Sequence, residues 1–215
     1  MRLRLFLLYC VFIGAFGMNF PALAQDEGLP TIQWTECPFD VPAGETEGET
    51  LDCGTLITYE DHFSDTDEAQ VELAFVVLYS NNDPNPDPVL YLEGGPGGSA
   101  LSGVEEWAQS SVRTDNDLIL LDQRGTGYSY PSLNCIEIEE DESDDGFAAE
   151  QACHDRFVDE GINLNAYNSA QSAADVADLM TLLQEDEDLA YSDYNLLGIS
   201  YGTRLALTIL RDYPE

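Results

Sequence analysis

The sequence predicts an α/β fold: a mostly parallel β-sheet covered by helices on both faces. Three observations carry that expectation. Short runs such as Val89-Leu90-Tyr91-Leu92 and Leu118-Ile119-Leu120-Leu121 are apolar at every position, helix-periodic segments alternate with them, and glycine-rich turns follow two of the strand runs. A strand that is apolar on both sides must be buried on both, which helical layers on either side of a parallel sheet provide. The 215 residues suffice for one sizeable core but not for two comfortable domains.

The first 24 residues are expected to stand apart from that core as an export signal. Arg2 and Arg4 give a basic start, residues 5–17 are apolar, and Ala22-Leu23-Ala24 supplies a small-residue cleavage site before Gln25. The alternative is an uncleaved membrane anchor, but the run is short for a span and Pro21 breaks its end. Residues 25–215 are then expected to form the amino-terminal part of one folded domain. A polar leader at 25–30 precedes a turn-rich stretch at 34–54, where Pro38, Pro42 and Gly44 predict an irregular start. Leu56-Ile57-Thr58-Tyr59 and residues 71–79 read as strands rich in β-branched and aromatic side chains. In Asp83-Pro84-Asn85-Pro86-Asp87-Pro88 three prolines remove backbone donors, which predicts a connecting loop.

The Val89–Leu92 run is followed by a helix reaching about Gln109. Residues 117–122 form another buried strand, 137–145 an acidic patch, and 148–159 a helix. The clearest helix is 169–184, where Ala173, Val176, Ala177, Leu179, Met180 and Leu183 keep one side apolar. Tyr194-Asn195-Leu196-Leu197-Gly198 is a strand, and a last helix continues to Arg211. No internal repeat is visible.

Charge and cysteine use bound the environment. The chain has 42 acidic residues against 7 basic ones, all arginine, for a net charge of −35. Such a surface repels nucleic acid and anionic lipid, so neither is expected as a partner, and no stable membrane association is expected after signal cleavage. Cys10 lies in the signal, leaving Cys37, Cys53, Cys135 and Cys153, an even number suited to an oxidising, extracytoplasmic compartment. Four cysteines permit three pairings. Pairing in sequence order, Cys37 with Cys53 and Cys135 with Cys153, closes two short loops, each contributing about 3 kcal/mol by the loop-entropy model. No C-x-x-C pair supports zinc. Around the acidic patch Asp141, Asp145 and Gly146 fit a calcium loop, but Ser143 is a weak third position and Ala152 stands where the bidentate glutamate belongs, so a solvated loop is expected. No metal or cofactor is predicted.

Gly198-Ile199-Ser200-Tyr201-Gly202 fits G-x-S-x-G between an apolar strand and a helix. A serine hydroxyl becomes a useful nucleophile when it projects from a sharp strand-to-helix turn, and Gly198 and Gly202 let neighbouring chain pass close to that turn. Acyl transfer also needs two backbone donors for the oxyanion. Tyr201, just after the nucleophile, is expected to supply one. The other is expected from Glu93-Gly94-Gly95-Pro96-Gly97-Gly98-Ser99, at the end of an earlier strand, with Gly95 the chosen donor because its backbone can turn inward unobstructed. The context is that of an α/β-hydrolase fold.

Three blocks occur in order: the glycine-proline-glycine loop, Asp122-Gln123-Arg124-Gly125-Thr126-Gly127-Tyr128-Ser129, and Gly198-Ile199-Ser200-Tyr201-Gly202-Thr203. Together they resemble the proline iminopeptidase and tripeptidyl aminopeptidase family of serine exopeptidases over residues 34–214. The resemblance implies that Ser200 is the nucleophile, that the Gly95 and Tyr201 amides form the oxyanion hole, and that peptides are the substrate. It also implies a structural Asp122–Gly127 turn, with Arg124 tying neighbouring loops and Asp122 outside the chemistry. The cysteines look like those of secreted members.

Two departures stand out. Glu93 replaces the histidine that many members carry before the two glycines; it is expected to hydrogen-bond the loop, the other possibility being attraction of a substrate ammonium. In this fold the acid and then the histidine follow the serine, whereas only a helix's length follows Ser200. His62 and His154 both precede it and read as surface or partly buried polar residues. The polypeptide is therefore expected to be a truncated or partial sequence, with negligible turnover on its own. A carboxylesterase using the same machinery, and a non-catalytic exported binding protein, remain as alternative functions; oligomeric state is left open. A lysine-free, carboxylate-rich surface suits a saline medium, where counter-ions screen self-repulsion. The unfolding temperature is therefore expected to rise as sodium chloride is added in a calorimetric scan, and indifference to salt would refute the adaptation.

Overall fold

The computed structural model describes residues 28–65, 69–82, 85–141, 146–189 and 191–214. The expected export signal lies outside them, as do Ser143 and Asp145 of the acidic loop. Strands β1 (Thr31–Thr35), β2 (Leu51–Tyr59), β3 (Gln70–Leu78), β4 (Asn85–Leu92), β5 (Asn116–Leu121) and β6 (Asn195–Gly198) form one sheet in the order β1-β2-β3-β5-β4-β6. Helices α1 (Val104–Ala108), α2 (Ile136–Glu139), α3 (Gly146–Asp159), α4 (Ser169–Glu185) and α5 (Tyr201–Asp212) complete the elements used below. β1 to β3 and the β3–β5 step are antiparallel; β4 runs parallel to both β5 and β6. The parallel strands carry the glycine loop and the serine turn at their carboxyl ends.

Successive side chains of a strand face opposite sides, and here both sides are apolar. Val71, Leu73, Phe75 and Val77 of β3 join Leu90 and Leu92 of β4 and Ile119 and Leu121 of β5 in one buried cluster, roofed by α4 and α5. Ala74, Val76 and Leu78 join Tyr91, Leu118 and Leu120 in a second, covered by Leu101 and Val104 around α1. The predicted architecture, with helices on both faces, is the one observed. Asn168 starts α4 by accepting the amides of Ala170 and Gln171 on its side chain, at 2.9 and 3.3 Å, which satisfies donors that the first helical turn leaves open.

Three local expectations are corrected. The proline-rich segment is not wholly a loop: β4 begins at Asn85, paired with Asn116, and the ladder shifts register before resuming at Val89. Pro86 and Pro88 fall within that break, where a missing N–H costs no regular ladder bond. The stretch at 34–54 is more ordered than its turn residues suggest, because β1 pairs with β2 from Thr31–Ile57 to Thr35–Cys53 and β2 starts at Leu51. The acidic patch also contains α2, where Glu137 receives Arg156 Nε at 2.6 Å. Disulfides join Cys37 to Cys53, at the end of the β1–β2 ladder, and Cys135 to Cys153, between α2 and α3, with Cα separations of 5.1 and 5.3 Å.

Arg113 ties the strand ends opposite the site. Its side chain is 2% exposed. Nη1 and Nη2 grip Glu45 at 2.6 and 2.7 Å, and the guanidinium also donates to the carbonyls of Tyr79, Ala108 and Thr50. Chiefly through that hydrogen-bonded grip, Arg113 lowers the Glu45 carboxyl below its ordinary value of 4.5. A depressed carboxylate adds stability above its unfolded pKa and loses it as pH falls through the folded one. The difference in unfolding free energy between wild type and Glu45→Gln is thus expected to be flat above pH 4.5 and to shrink on further acidification, read by urea titration. Arg113→Met is expected to cost about 3–5 kcal/mol, since it strands a partly buried carboxylate.

Candidate active site

β6 ends at Gly198 and α5 begins at Tyr201, so the chain must turn within two residues. Ser200 makes that turn with φ 54° and ψ −118°, the only non-glycine positive φ among the described residues. Such a conformation costs about 1–3 kcal/mol and persists when its surroundings overdetermine it. Here they do. The Gly202 amide donates to the Ile199 carbonyl at 2.8 Å, while Thr203 places both its amide and its hydroxyl on the Ser200 carbonyl, at 3.1 and 2.6 Å. The Ile199 amide donates to the carbonyl of Leu92 at the end of β4, at 3.3 Å.

Space also dictates the glycines. A methyl group on Gly202 would overlap the Leu92 carbonyl oxygen, and one on Gly198 would sit 2.5 Å from the Gly202 carbonyl oxygen. Only without these side chains can α5 start so close to β4. Ser200 itself is exposed.

The glycine loop lies against the serine. A Cβ placed on Gly94 would be 3.0 Å from Ser200 Cβ and 3.6 Å from Ser200 Oγ. The loop closes on itself through the Gly98 amide, which donates to the Gly94 carbonyl at 3.2 Å. Gly95, with φ 112°, occupies the left-handed region. Among the described residues the amides of Gly95 and Tyr201 have no hydrogen-bond acceptor. Glu93 Oε1 takes the Gly94 amide at 2.6 Å and Oε2 the Tyr91 hydroxyl at 3.0 Å, so its side chain bonds the loop. Tyr91 is 3% exposed. Burial, with the Glu93 hydrogen bond and charge adding, pushes its hydroxyl up to about 12.

The turn after β5 supports both segments. Asp122 is fully buried. It accepts from the Ser99 hydroxyl at 3.0 Å and from the amides of Leu101 and Tyr128 at 3.1 and 2.8 Å. Burial raises its carboxyl above the usual aspartate range, against the lowering effect of these bonds. Gln123 Nε2 donates to the Glu93 carbonyl at 3.1 Å. Arg124 grips Asp175 of α4 through Nε and Nη2, at 2.8 and 2.6 Å, and donates to the carbonyls of Tyr59, Glu60 and Ala166. It ties three loops, as the resemblance implies. A cavity of about 250 Å³ opens beside Tyr201, Pro96 and Gly97 and reaches Thr126 and Tyr167.

Neither histidine is hydrogen-bonded to Ser200. His62 Nε2 lies 2.8 Å from Asp175 and its Nδ1 is 3.7 Å from Asp178, whereas His154 is exposed on α3 beside Asp155. Among the described residues no three His, Cys, Asp or Glu side chains converge as a metal site, and no helix is long and apolar enough to cross a membrane. The supporting role of Leu92 left no mark in local sequence, because it depends on Ile199 and Gly202, distant along the chain; the Tyr91–Glu93 bond is local but was not expected.

A family model described as the alpha/beta hydrolase fold matches residues 87–215. The chain is similar to serine protease Hip1 of Mycobacterium tuberculosis and of Mycobacterium bovis, 26% identical in each case, covering 94% of this chain and 40% of the relative. It thus spans two fifths of the length of those relatives. Among solved structures it is similar to a cold-adapted esterase from an Arctic intertidal metagenomic library, at 13% identity and a TM-score of 0.45, covering 85% of this chain and 62% of the other. An alpha-beta serine hydrolase homologue from Coxiella burnetii is similar at 13% identity and a TM-score of 0.41, over 66% and 53% of the two chains.

Because its methyl would meet backbone, Gly202→Ala is expected to lower stability by at least about 1–3 kcal/mol. A Cβ on Gly146, at the start of α3, meets nothing within 4 Å, so Gly146→Ala is expected to be neutral or stabilising by up to about 1 kcal/mol. Parallel urea titrations would read both, and equal effects would refute the steric account.

Proposed function

This chain belongs to the α/β-hydrolase fold family, and on that premise we propose that it serves an exported serine exopeptidase that releases residues from peptide amino termini through an acyl-enzyme on Ser200. The observation that carries the proposal is the close approach of Gly94 to Ser200, where a Cβ on Gly94 would lie 3.0 Å from Ser200 Cβ, together with amides at Gly95 and Tyr201 that have no acceptor among the described residues. In this reading two separate segments supply the donors for one exposed serine.

The chemistry follows from that arrangement. Ser200 Oγ attacks the scissile carbonyl while a base takes its proton, and the carbonyl oxygen becomes an oxyanion held by the Gly95 and Tyr201 amides. The start of α5 adds its positive dipole end. The base returns that proton to the amine nitrogen as the C–N bond breaks, leaving an ester on Ser200. Water, giving its proton to the same base, then attacks the ester, and the acid leaves as Ser200 Oγ regains a proton. Loss of one such donor slows turnover by about 100- to 1000-fold in comparable sites. His62 and His154 are both engaged away from Ser200, so in this proposal the base comes from polypeptide outside the described residues.

Peptide rather than ester as substrate is supported by the three-block resemblance and by the similarity to a protein named as a serine protease. The two disulfides support an extracytoplasmic location. In the full-length protein, a fluorophosphonate probe is expected to label wild type and not Ser200→Ala. Aminoacyl anilides are expected to be turned over with higher kcat/KM than short acyl esters; the reverse order would favour the carboxylesterase, and persistent labelling of the alanine variant would remove Ser200 as nucleophile.

A further inference from the structure

We propose that Glu93 is a positioning residue: its carboxylate takes up the Gly94 amide and so leaves the Gly95 amide as the loop's open donor beside Ser200. The proposal rests on the reading of Ser200 as nucleophile and adds to it the group that selects the donor. Two consecutive glycine amides follow β4, and the loop's backbone alone does not choose between them. Glu93 Oε1 chooses, because it accepts the Gly94 amide at 2.6 Å and removes that donor from the site.

The carboxylate is itself held in place. Tyr91, two residues earlier on the same side of the strand, donates its hydroxyl to Oε2 at 3.0 Å, and its ring packs on Trp107 of α1 with centroids 4.2 Å apart. On the other flank, a Cβ on Gly98 would come within 2.8 Å of Glu93 Cγ, so the loop closes tightly over the side-chain stem. The Glu93 carbonyl is also fixed, by Gln123 Nε2. A surface glutamate seeking a ligand would have a free oxygen and room to turn. Both oxygens of Glu93 are instead committed, one to a buried tyrosine and the other to the loop.

Charge makes the assignment testable. A carboxylate close to a developing oxyanion opposes it electrostatically, so geometry and not charge must be the benefit. Glutamine offers an amide oxygen to the Gly94 amide and an NH₂ group to the Tyr91 oxygen, preserving both contacts without the charge. In the full-length protein assayed on an aminoacyl anilide, Glu93→Ala is expected to lower kcat by about tenfold or more with KM nearly unchanged. Glu93→Gln is expected to restore kcat to at least the wild-type value. An unchanged kcat in the alanine variant would overturn the proposal. So would a rise in KM, in either variant, that is seen with free-amino substrates and vanishes with N-formylated ones, since that marks the carboxylate as a substrate-ammonium site. Should Glu93→Ala fail to fold, Tyr91→Phe reads the same point: it frees one oxygen of the carboxylate and is expected to lower kcat a few-fold at constant KM, and no change would overturn the proposal. Failure of the nucleophile assignment is read separately, from labelling of Ser200→Ala.

Discussion

The carbonyl of Leu92 is the point on which the site is assembled. It ends β4, accepts the Ile199 amide from the serine turn, and faces the α-carbon of Gly202 so closely that no side chain fits between. One peptide group therefore sets the distance between the strand that launches the glycine loop and the helix that follows the serine. Ser200 can occupy an unfavourable backbone conformation because bonds on both of its sides leave no alternative, and the apolar packing of Leu205 and Ile209 beneath the sheet holds α5 in place. Strain at the turn is offset by burial elsewhere, a common arrangement where a reactive group must project.

Around that point the chain uses its few cations sparingly. In a molecule dominated by carboxylates, Arg113 and Arg124 are almost wholly enclosed, and each saturates its guanidinium with one carboxylate and several backbone carbonyls. Enclosing a charge is costly unless every donor is met. These two are met by groups from segments far apart in the chain, so each arginine joins loops that are distant in sequence. Arg124 secures the region between the β5 turn and α4, next to the cavity at Tyr201; Arg113 secures the opposite strand ends. Ser200 sits in neither network, and among the described residues its hydroxyl has no hydrogen-bond partner.

How far the sequence was legible varied with the range of the interaction involved. The long helix at 169–184 and the strand at 71–79 were readable because their signals are local: a 3.6-residue apolar period, and a dense run of β-branched and aromatic residues. The G-x-S-x-G turn was readable for the same reason, since a strand and a helix flank it directly. Pro86 and Pro88 misled because proline's effect on a strand depends on whether its neighbour asks for an N–H, and the register break at Asn85–Val89 is a property of the pair. β1 was missed because a short, half-exposed strand of mixed composition exists only through its ladder with β2. Glu93 was weighed correctly as a loop-bonding residue, yet its tyrosine partner was not foreseen.

By itself, the sequence determined the layered α/β class, the elements with strong periodicity, the acidic surface, and which serine and which glycines belong to one turn, because all of these follow from residue type and near-neighbour spacing. Only tertiary structure decided that the glycine loop lies against Ser200, that β3 meets β5 antiparallel while β4 runs parallel between β5 and β6, and which partners Asp122 and Arg124 hold. Those facts depend on sheet order, and sheet order is set by which apolar faces bury each other best, a comparison among distant segments that no local pattern records.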